Sequence, residues 1–152
     1  MVATDRSQSA DFTVAWAADM AERYDAELVV IQVIVPENPV ATQAGAAETT
    51  RAAYATEDLK LLAQEMAGGR GRAKVTVAEN ASDAIVAAAE EEEVDVLVVG
   101  NVGMSGRKEF LLGNVPNRVS HNARCTVVIV NSAEAAAPEE KSGLTSFFRR
   151  KT

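Results

Sequence analysis

The segment Gly100-Asn101-Val102-Gly103-Met104-Ser105-Gly106-Arg107-Lys108-Glu109-Phe110-Leu111-Leu112-Gly113-Asn114-Val115-Pro116 concentrates residue types that can hold an anion. Gly100 and Gly103 directly follow a buried-strand pattern, and Gly113 precedes a helical one. Lacking a Cβ, glycine lets backbone N–H groups come close to an anion, and a helix starting near Asn114 turns its positive end toward the same place. Arg107 and Lys108 lie between the glycines, where they can screen phosphate charge. The spacing is not the dinucleotide fingerprint, which packs three glycines into six residues before a helix, and no Gly-Lys-Ser/Thr occurs, which excludes a P-loop. Spacing alone leaves two readings open: an anion site, or glycines that only shape turns.

Other chemistry is sparse. His121 has no serine, cysteine or carboxylate partner at motif spacing, so it reads as a surface or helix-end histidine. Cys125, the one cysteine, excludes an internal disulfide and a cysteine zinc cage, and reads as a small buried apolar group. No general base, metal-binding carboxylate pair or nucleophile–base pair is visible, which argues against a dedicated enzyme. With 22 acidic against 15 basic residues, a net charge of −7 and 5% aromatics, the chain is a poor match to a nucleic-acid binder. No apolar run approaches the roughly 20 residues that span a bilayer. The start, Met1-Val2-Ala3-Thr4-Asp5, lacks the basic end and apolar stretch of a signal peptide. These features predict a reduced, cytoplasmic protein without stable membrane insertion.

The elements that must position the glycine segment alternate along the chain. Short apolar runs are expected as strands at Val2 to Thr4, Leu28 to Val35, Lys74 to Ala78, Val94 to Val99 and Thr126 to Val130. Between them, helices are expected at Ala10 to Asp25, Ala44 to Met66, Asp83 to Glu92 with Ser82 as N-cap, and Val115 to Asn122. In the first helix, Phe12, Ala15, Trp16, Met20 and Tyr24 share one face at three- and four-residue spacings, with Trp16 and Met20 reading as core. In the third, Ile85, Ala88 and Ala89 face inward, and Glu90 to Glu93 reads as a solvated helix end. Strand–helix–strand repetition implies right-handed crossovers, and so an α/β domain with an open five-stranded parallel sheet and helices on both faces. Ligands of such sheets bind beyond the carboxyl ends of the strands. Those ends carry Thr4-Asp5, Val33 to Val35, Ala78-Glu79-Asn80 and Gly100 to Gly103.

The pattern Gly100-x2-Gly103-x9-Gly113, followed by a small polar residue, resembles the nucleotide-binding motif of the universal stress protein family. Val96-Leu97-Val98-Val99-Gly100, Leu111-Leu112-Gly113-Asn114-Val115 and Cys125-Thr126-Val127-Val128-Ile129-Val130 fit the same family. So does the opening Val2-Ala3-Thr4-Asp5-Arg6-Ser7, similar to the family's first strand and Asp-Gly-Ser turn. The resemblance runs from Val2 to Asn131. It implies a Rossmann-like sheet of order 3-2-1-4-5 and a site for ATP or a related adenine nucleotide. By position, Asp5 would sit beside the adenine or ribose, Ala3 would line the pocket, and Val33 would offer backbone groups to the adenine edge. Gly100 and Gly103 would accommodate ribose and phosphates, and Gly113, Asn114 and Val115 would give N–H groups to the phosphates. Mg²⁺ or Mn²⁺ would bridge phosphate oxygens.

Four departures from the family pattern stand out. Arg6 replaces the usual glycine after Asp5, and Asn114 the usual Ser/Thr, keeping a small polar N-cap. Glu79-Asn80 stands where a glycine is common, placing a carboxylate near the ligand mouth. The first strand, central in the family order, is nearly missing at its start, which should weaken the sheet unless residues precede it.

The last strand would be an apolar sheet edge, the kind that recruits another chain. Corresponding strands in the family pair across a two-fold axis, so the resemblance implies a homodimer through the last strand. The expected domain is 1–131, followed by a disordered tail at 132–152. The tail holds four basic and three acidic residues, leaving −8 on the domain. Its Phe147-Phe148-Arg149-Arg150-Lys151 cluster gives at most weak attraction to an anionic membrane. The expected function is a nucleotide-binding stress-response regulator or adaptor with an unknown regulated partner. The alternatives are slow ATP hydrolysis, a nucleotide-free dimerisation module, and a preference for cyclic AMP.

Overall fold

The computed structural model describes residues 1–36, 44–101 and 113–132. The described chain runs β1 (Val2–Ala3), α1 (Gln8–Arg23), β2 (Leu28–Ile34), α2 (Ala44–Ala67), a 3-10 turn (Gly68–Arg70), β3 (Gly71–Val77), α3 (Ala81–Glu91), β4 (Val96–Gly100), α4 (Asn114–Asn122) and β5 (Thr126–Val130). The strands form one five-stranded parallel sheet in the order β3-β2-β1-β4-β5, as the resemblance implied.

Strand alternation feeds two cores. Leu28 and Val30 of β2 face α1 and α2, where Val14, Ala17, Ala18 and Ala21 of α1 and Leu59 and Ala63 of α2 cover them. Val29 and Ile31 face the other side, against Ile85, Ala88 and Ala89 of α3 and Val119 of α4. That double burial is why the second strand reads as a nearly continuous apolar run, interrupted by Gln32. β1 is short yet fully engaged: Val2 pairs with Val30 and with Val98, and Ala3 with Ile31. Met1 extends the pairing, its α-amino group donating to the Val96 carbonyl at 2.8 Å and its carbonyl accepting from Val98 N–H at 2.9 Å. Thr4 N–H donates to the Ile31 carbonyl at 2.9 Å, closing the other end.

Several local expectations shift. The buried face of α1 is Ser9, Ala10, Thr13, Val14, Ala17, Ala18 and Ala21, small residues that let the helix lie close on the sheet. Phe12 and Trp16 pack beside that face half-buried, Met20 is half-buried, and Tyr24, at the C-cap, is 75% exposed. β3 starts at Gly71, three residues before the expected Lys74, because the glycine cluster that ends α2 also supplies the strand's first pairing, with Leu28. The α3 cap is Asn80, not Ser82: the Asn80 backbone is extended, and its Oδ1 accepts from Asp83 N–H at 3.2 Å and from the Ser82 hydroxyl at 2.7 Å. Cys125 is half-buried against the α3–α4 core, and His121 is exposed.

The acidic end of α3 is tied down rather than only solvated. Lys74 donates to Glu92 at 2.9 Å and to Glu91 at 3.0 Å, and Arg72 to Glu92 at 3.0 Å and to Glu27 at 3.3 Å. Glu90 pairs with Arg124 at 3.3 Å. These cations offset the repulsion between the glutamates and the negative end of the helix. Among the described residues no helix is long and apolar enough to cross a membrane. The tail from Ala133 on lies outside the described residues, whereas Ser132, the first residue past the expected domain boundary, is fully buried.

Candidate functional site

A cavity of about 340 Å³ opens at the carboxyl ends of β1, β2 and β4, on the side of the sheet covered by α3 and α4. Ala3, Asp5, Val33, Gly100, Gly113, Asn114 and Val115 all line it, bringing together residues from four separate stretches of sequence. Of the expected site residues, Gly103 lies outside the described residues, as do Arg107 and Lys108. The floor is apolar: Ile31, Ile85 and Val99. Among the described lining residues Asp5 is the one charged side chain.

The β1–α1 turn places Asp5 by a chain of local hydrogen bonds. Thr4 Oγ1 accepts from Arg6 N–H and Asp5 Oδ1 accepts from Ser7 N–H, both at 3.0 Å. Ser7 then caps α1, its Oγ accepting from Ala10 N–H at 3.3 Å. Arg6 has φ +62°, a left-handed conformation that favours glycine, and this explains the expected glycine at that position. Its guanidinium does not line the cavity; it pairs with Asp11 at 3.3 Å. Asp5 therefore both shapes its turn and borders the cavity.

Three helices reach the cavity with their first turns, through Ala10 of α1, Ala81 of α3 and Asn114 of α4. Ser7 and Asn80 cap the first two with side-chain oxygens. The third differs. Its N-cap is Gly113, not the expected Asn114, and no side chain caps it. Asn114 and Val115 occupy the first two helical positions, whose N–H groups have no intrahelical acceptor, and Pro116 has no N–H at all. α4 thus presents backbone donors and a positive dipole end to a cavity whose described lining carries no cationic side chain. Glu79, expected near the mouth, is exposed and does not line the cavity; its neighbour Asn80 acts as the α3 cap.

The universal stress protein family model matches residues 1–131. The chain belongs to the universal stress protein family. Universal stress protein Rv1636 of Mycobacterium tuberculosis H37Rv is 34% identical over 141 residues, covering 87% of this chain and 94% of that protein. A universal stress protein solved in complex with cAMP is 30% identical, with a TM-score of 0.59 over 86% of this chain and 94% of that one. The universal stress protein UspA of Lactobacillus plantarum, at 18% identity, shares the fold with a TM-score of 0.73 over 86% of this chain and 96% of that one.

Within this family fold, the cavity-lining residues that motif reading did not single out are Thr4, Ala10, Ile31, Ala81, Ile85, Val99 and Pro116. Ile31 was reachable from Val33, since residues two apart on a strand share a face. Ala10 and Ala81 carry no sequence signal beyond their small size near helix starts.

Proposed function

We propose that the cavity holds an adenine nucleotide, ATP or a close relative, and that the protein acts as a stress-response regulator or adaptor rather than a dedicated enzyme. The observation that carries this reading is the uncapped N-terminus of α4, with Gly113 at its head, beside an apolar cavity at the strand ends. An apolar floor suits a flat base, and free helix-end N–H groups suit phosphate. The volume of about 340 Å³ lies within the usual range of small-molecule sites, about 300–1,000 Å³. Asp5 would meet the ribose or adenine, Ala3 and Val33 the base, Gly100 the ribose, and the N–H groups of Asn114 and Val115 the phosphates, with Gly113, whose own N–H donates to the Asn101 carbonyl, leaving room for them as a residue without a Cβ. Gly103 would join them by its place in the motif. No cluster of His, Cys, Asp or Glu among the described residues suits a metal ion, so Mg²⁺ or Mn²⁺ would be carried on the phosphates.

A second reading, preference for cyclic AMP, is favoured by the 30% identical relative solved with that ligand. Calorimetric titration with ATP, ADP, AMP and cyclic AMP, beside mass spectrometry of nucleotide released on denaturation, decides between them. Tightest binding of ATP supports the first reading and of cyclic AMP the second. Absence of both heat and co-purified nucleotide rejects both, leaving a nucleotide-free dimerisation module.

The same protein is proposed to form a homodimer through β5. The two sheet edges differ in their protection: β3 carries Arg72 and Lys74, engaged by Glu27, Glu91 and Glu92, while β5, Thr126-Val127-Val128-Ile129-Val130, has no charged residue. Uncharged edges pair readily with another chain. A monomer by light scattering at micromolar concentration would reject the dimer.

A further inference from the structure

Asn101, the residue after β4, binds two separate stretches of chain, Val130 to Ser132 and Gly113. Its N–H donates to the Val130 carbonyl at 2.9 Å, and its own carbonyl accepts from Gly113 N–H at 3.1 Å. Its side-chain Oδ1 accepts from the N–H of Ser132 at 2.9 Å and from the Ser132 hydroxyl at 3.2 Å. Its Nδ2 donates to Asn131 Oδ1 at 2.9 Å. Ser132 is fully buried, and Asn101 Oδ1 serves both its donors. Removing the partner of a buried donor costs far more than a surface hydrogen bond is worth, so this arrangement holds the Asn101 side chain in one orientation. The Asn101 backbone is thereby fixed between β5 on one side and Gly113 on the other.

We propose that Asn101 is a positioning residue of the nucleotide site. Through its side chain it locks onto the chain beyond β5, and through its carbonyl it sets Gly113 and so the first turn of α4. The proposal rests on the nucleotide reading above, in which that turn receives the phosphates. It extends the framework of the site past β5, to Asn131 and Ser132. Coupling of this kind is reciprocal: what loosens Ser132 weakens phosphate binding, and bound phosphate tightens Ser132.

The test uses full-length protein with Asn101→Ala, Asn101→Asp and Ser132→Ala, read by amide hydrogen exchange without ligand and by calorimetry with ATP and adenosine. In Asn101→Ala, exchange at Gly113 should rise and ATP affinity fall by about tenfold each, the scale of one lost hydrogen-bond partner. Adenosine affinity should change little, and exchange at Val30 and Ile31 in the sheet centre should not move, which separates positioning from general loosening. Asn101→Asp keeps the Oδ acceptor for Ser132 and should restore slow exchange at Gly113. Unchanged Gly113 exchange in Asn101→Ala, or equal losses for ATP and adenosine, would overturn the proposal. If Asn101→Ala does not fold, Ser132→Ala, which removes one of the two donors to Oδ1, is judged by the same readouts. If the unaltered protein binds neither ATP nor adenosine, the nucleotide reading fails, while exchange at Gly113 still decides whether Asn101 sets that turn.

Discussion

Arg118 of α4 donates from Nη2 to both carboxylate oxygens of Asp83 on α3, at 3.0 and 3.3 Å. Both helices line the cavity with their first turns, so one charged pair joins two of its three helical walls. The side chains are 51% and 59% exposed, which places the pair among surface ion pairs of small energetic weight.

Asp83→Asn should therefore leave stability within about 0.5 kcal/mol, measured by urea unfolding. Its effect on binding should be larger for charged ligands, because a carboxylate is removed from the first turn of α3, whose Ala81 lines the cavity, and the Arg118 charge is no longer balanced. ATP affinity should rise by about two- to threefold at low salt, and the gain should vanish at high ionic strength. Adenosine affinity should not change. Calorimetry at two salt concentrations checks this, and an equal gain for adenosine would contradict the electrostatic cause.

Gly71 has a steric rather than a conformational reason to be glycine. A Cβ at Gly71 would overlap the carbonyl oxygen of Ala63, a backbone atom of α2 that cannot swing aside. Gly71→Ala should destabilise by about 3 kcal/mol through forced overpacking. Gly69→Ala meets nothing within 4 Å and should change stability by less than about 0.5 kcal/mol. Gly68 has φ +56°, so Gly68→Ala should cost about 1–2 kcal/mol from backbone strain alone. The urea midpoint should be highest for Gly69→Ala, lower for Gly68→Ala and lowest for Gly71→Ala.

What was legible in the sequence follows from the range of the interactions involved. Ala3, Asp5, Val33, Gly100, Gly113, Asn114 and Val115, which the family resemblance pointed to, all line the cavity, and the resemblance could be seen because strand ends and the glycine motif are local patterns. The caps were harder. Asn80 and Ser82 are both good N-cap residues, and the choice depends on which one has extended backbone. The same holds for Gly113 and Asn114, where a missing side-chain cap leaves no sequence mark. The buried face of α1 was assigned to its largest residues, yet close packing on the sheet selects alanines and leaves Phe12 and Trp16 at the margin. Asn101 and Ser132 were not legible, because their bond joins residues 31 apart that only the β4–β5 pairing brings together.

The ion-pair cluster at the β3 edge predicts a pH dependence. Hydrogen bonds from Lys74 and then Arg72 hold the Glu92 carboxyl below its usual 4.5. A depressed folded-state value means that the charged form is favoured by folding. The contribution to stability is therefore complete above the usual carboxylate range and is lost as pH falls through the lower folded value. The Lys74 ammonium donates hydrogen bonds to Glu92 and Glu91, which raise its pKa, so its share is complete below its usual 10.5 and is lost as pH rises through the raised value. Glu92→Gln should cost about 0.5–1 kcal/mol at pH 7. The gap to the unaltered protein should close below pH 4.5, measured by urea unfolding across the acid range. A gap that stays constant down to the acid limit would assign the loss to packing rather than charge.

Gly113→Asp sets the folding role of that position against its binding role. Gly113 has φ −60° and ψ 164°, an extended conformation that any residue adopts, and an added Cβ would sit 3.4 Å from the Asn101 carbonyl and 3.5 Å from Pro116 Cδ, both ordinary contacts. Aspartate is among the best N-cap residues and its charge suits the positive end of α4. Stability should thus hold or rise by about 0.5 kcal/mol. Binding should go the other way, since the new carboxylate would take the N–H of Val115 and repel phosphate at the same point. ATP affinity should fall at least about 100-fold, while adenosine binding falls less than about threefold. Thermal unfolding and calorimetry on the same preparation separate the two effects. Loss of ATP binding together with a lower melting temperature would mean that Gly113 serves the fold first; retained ATP binding would place the phosphates away from α4.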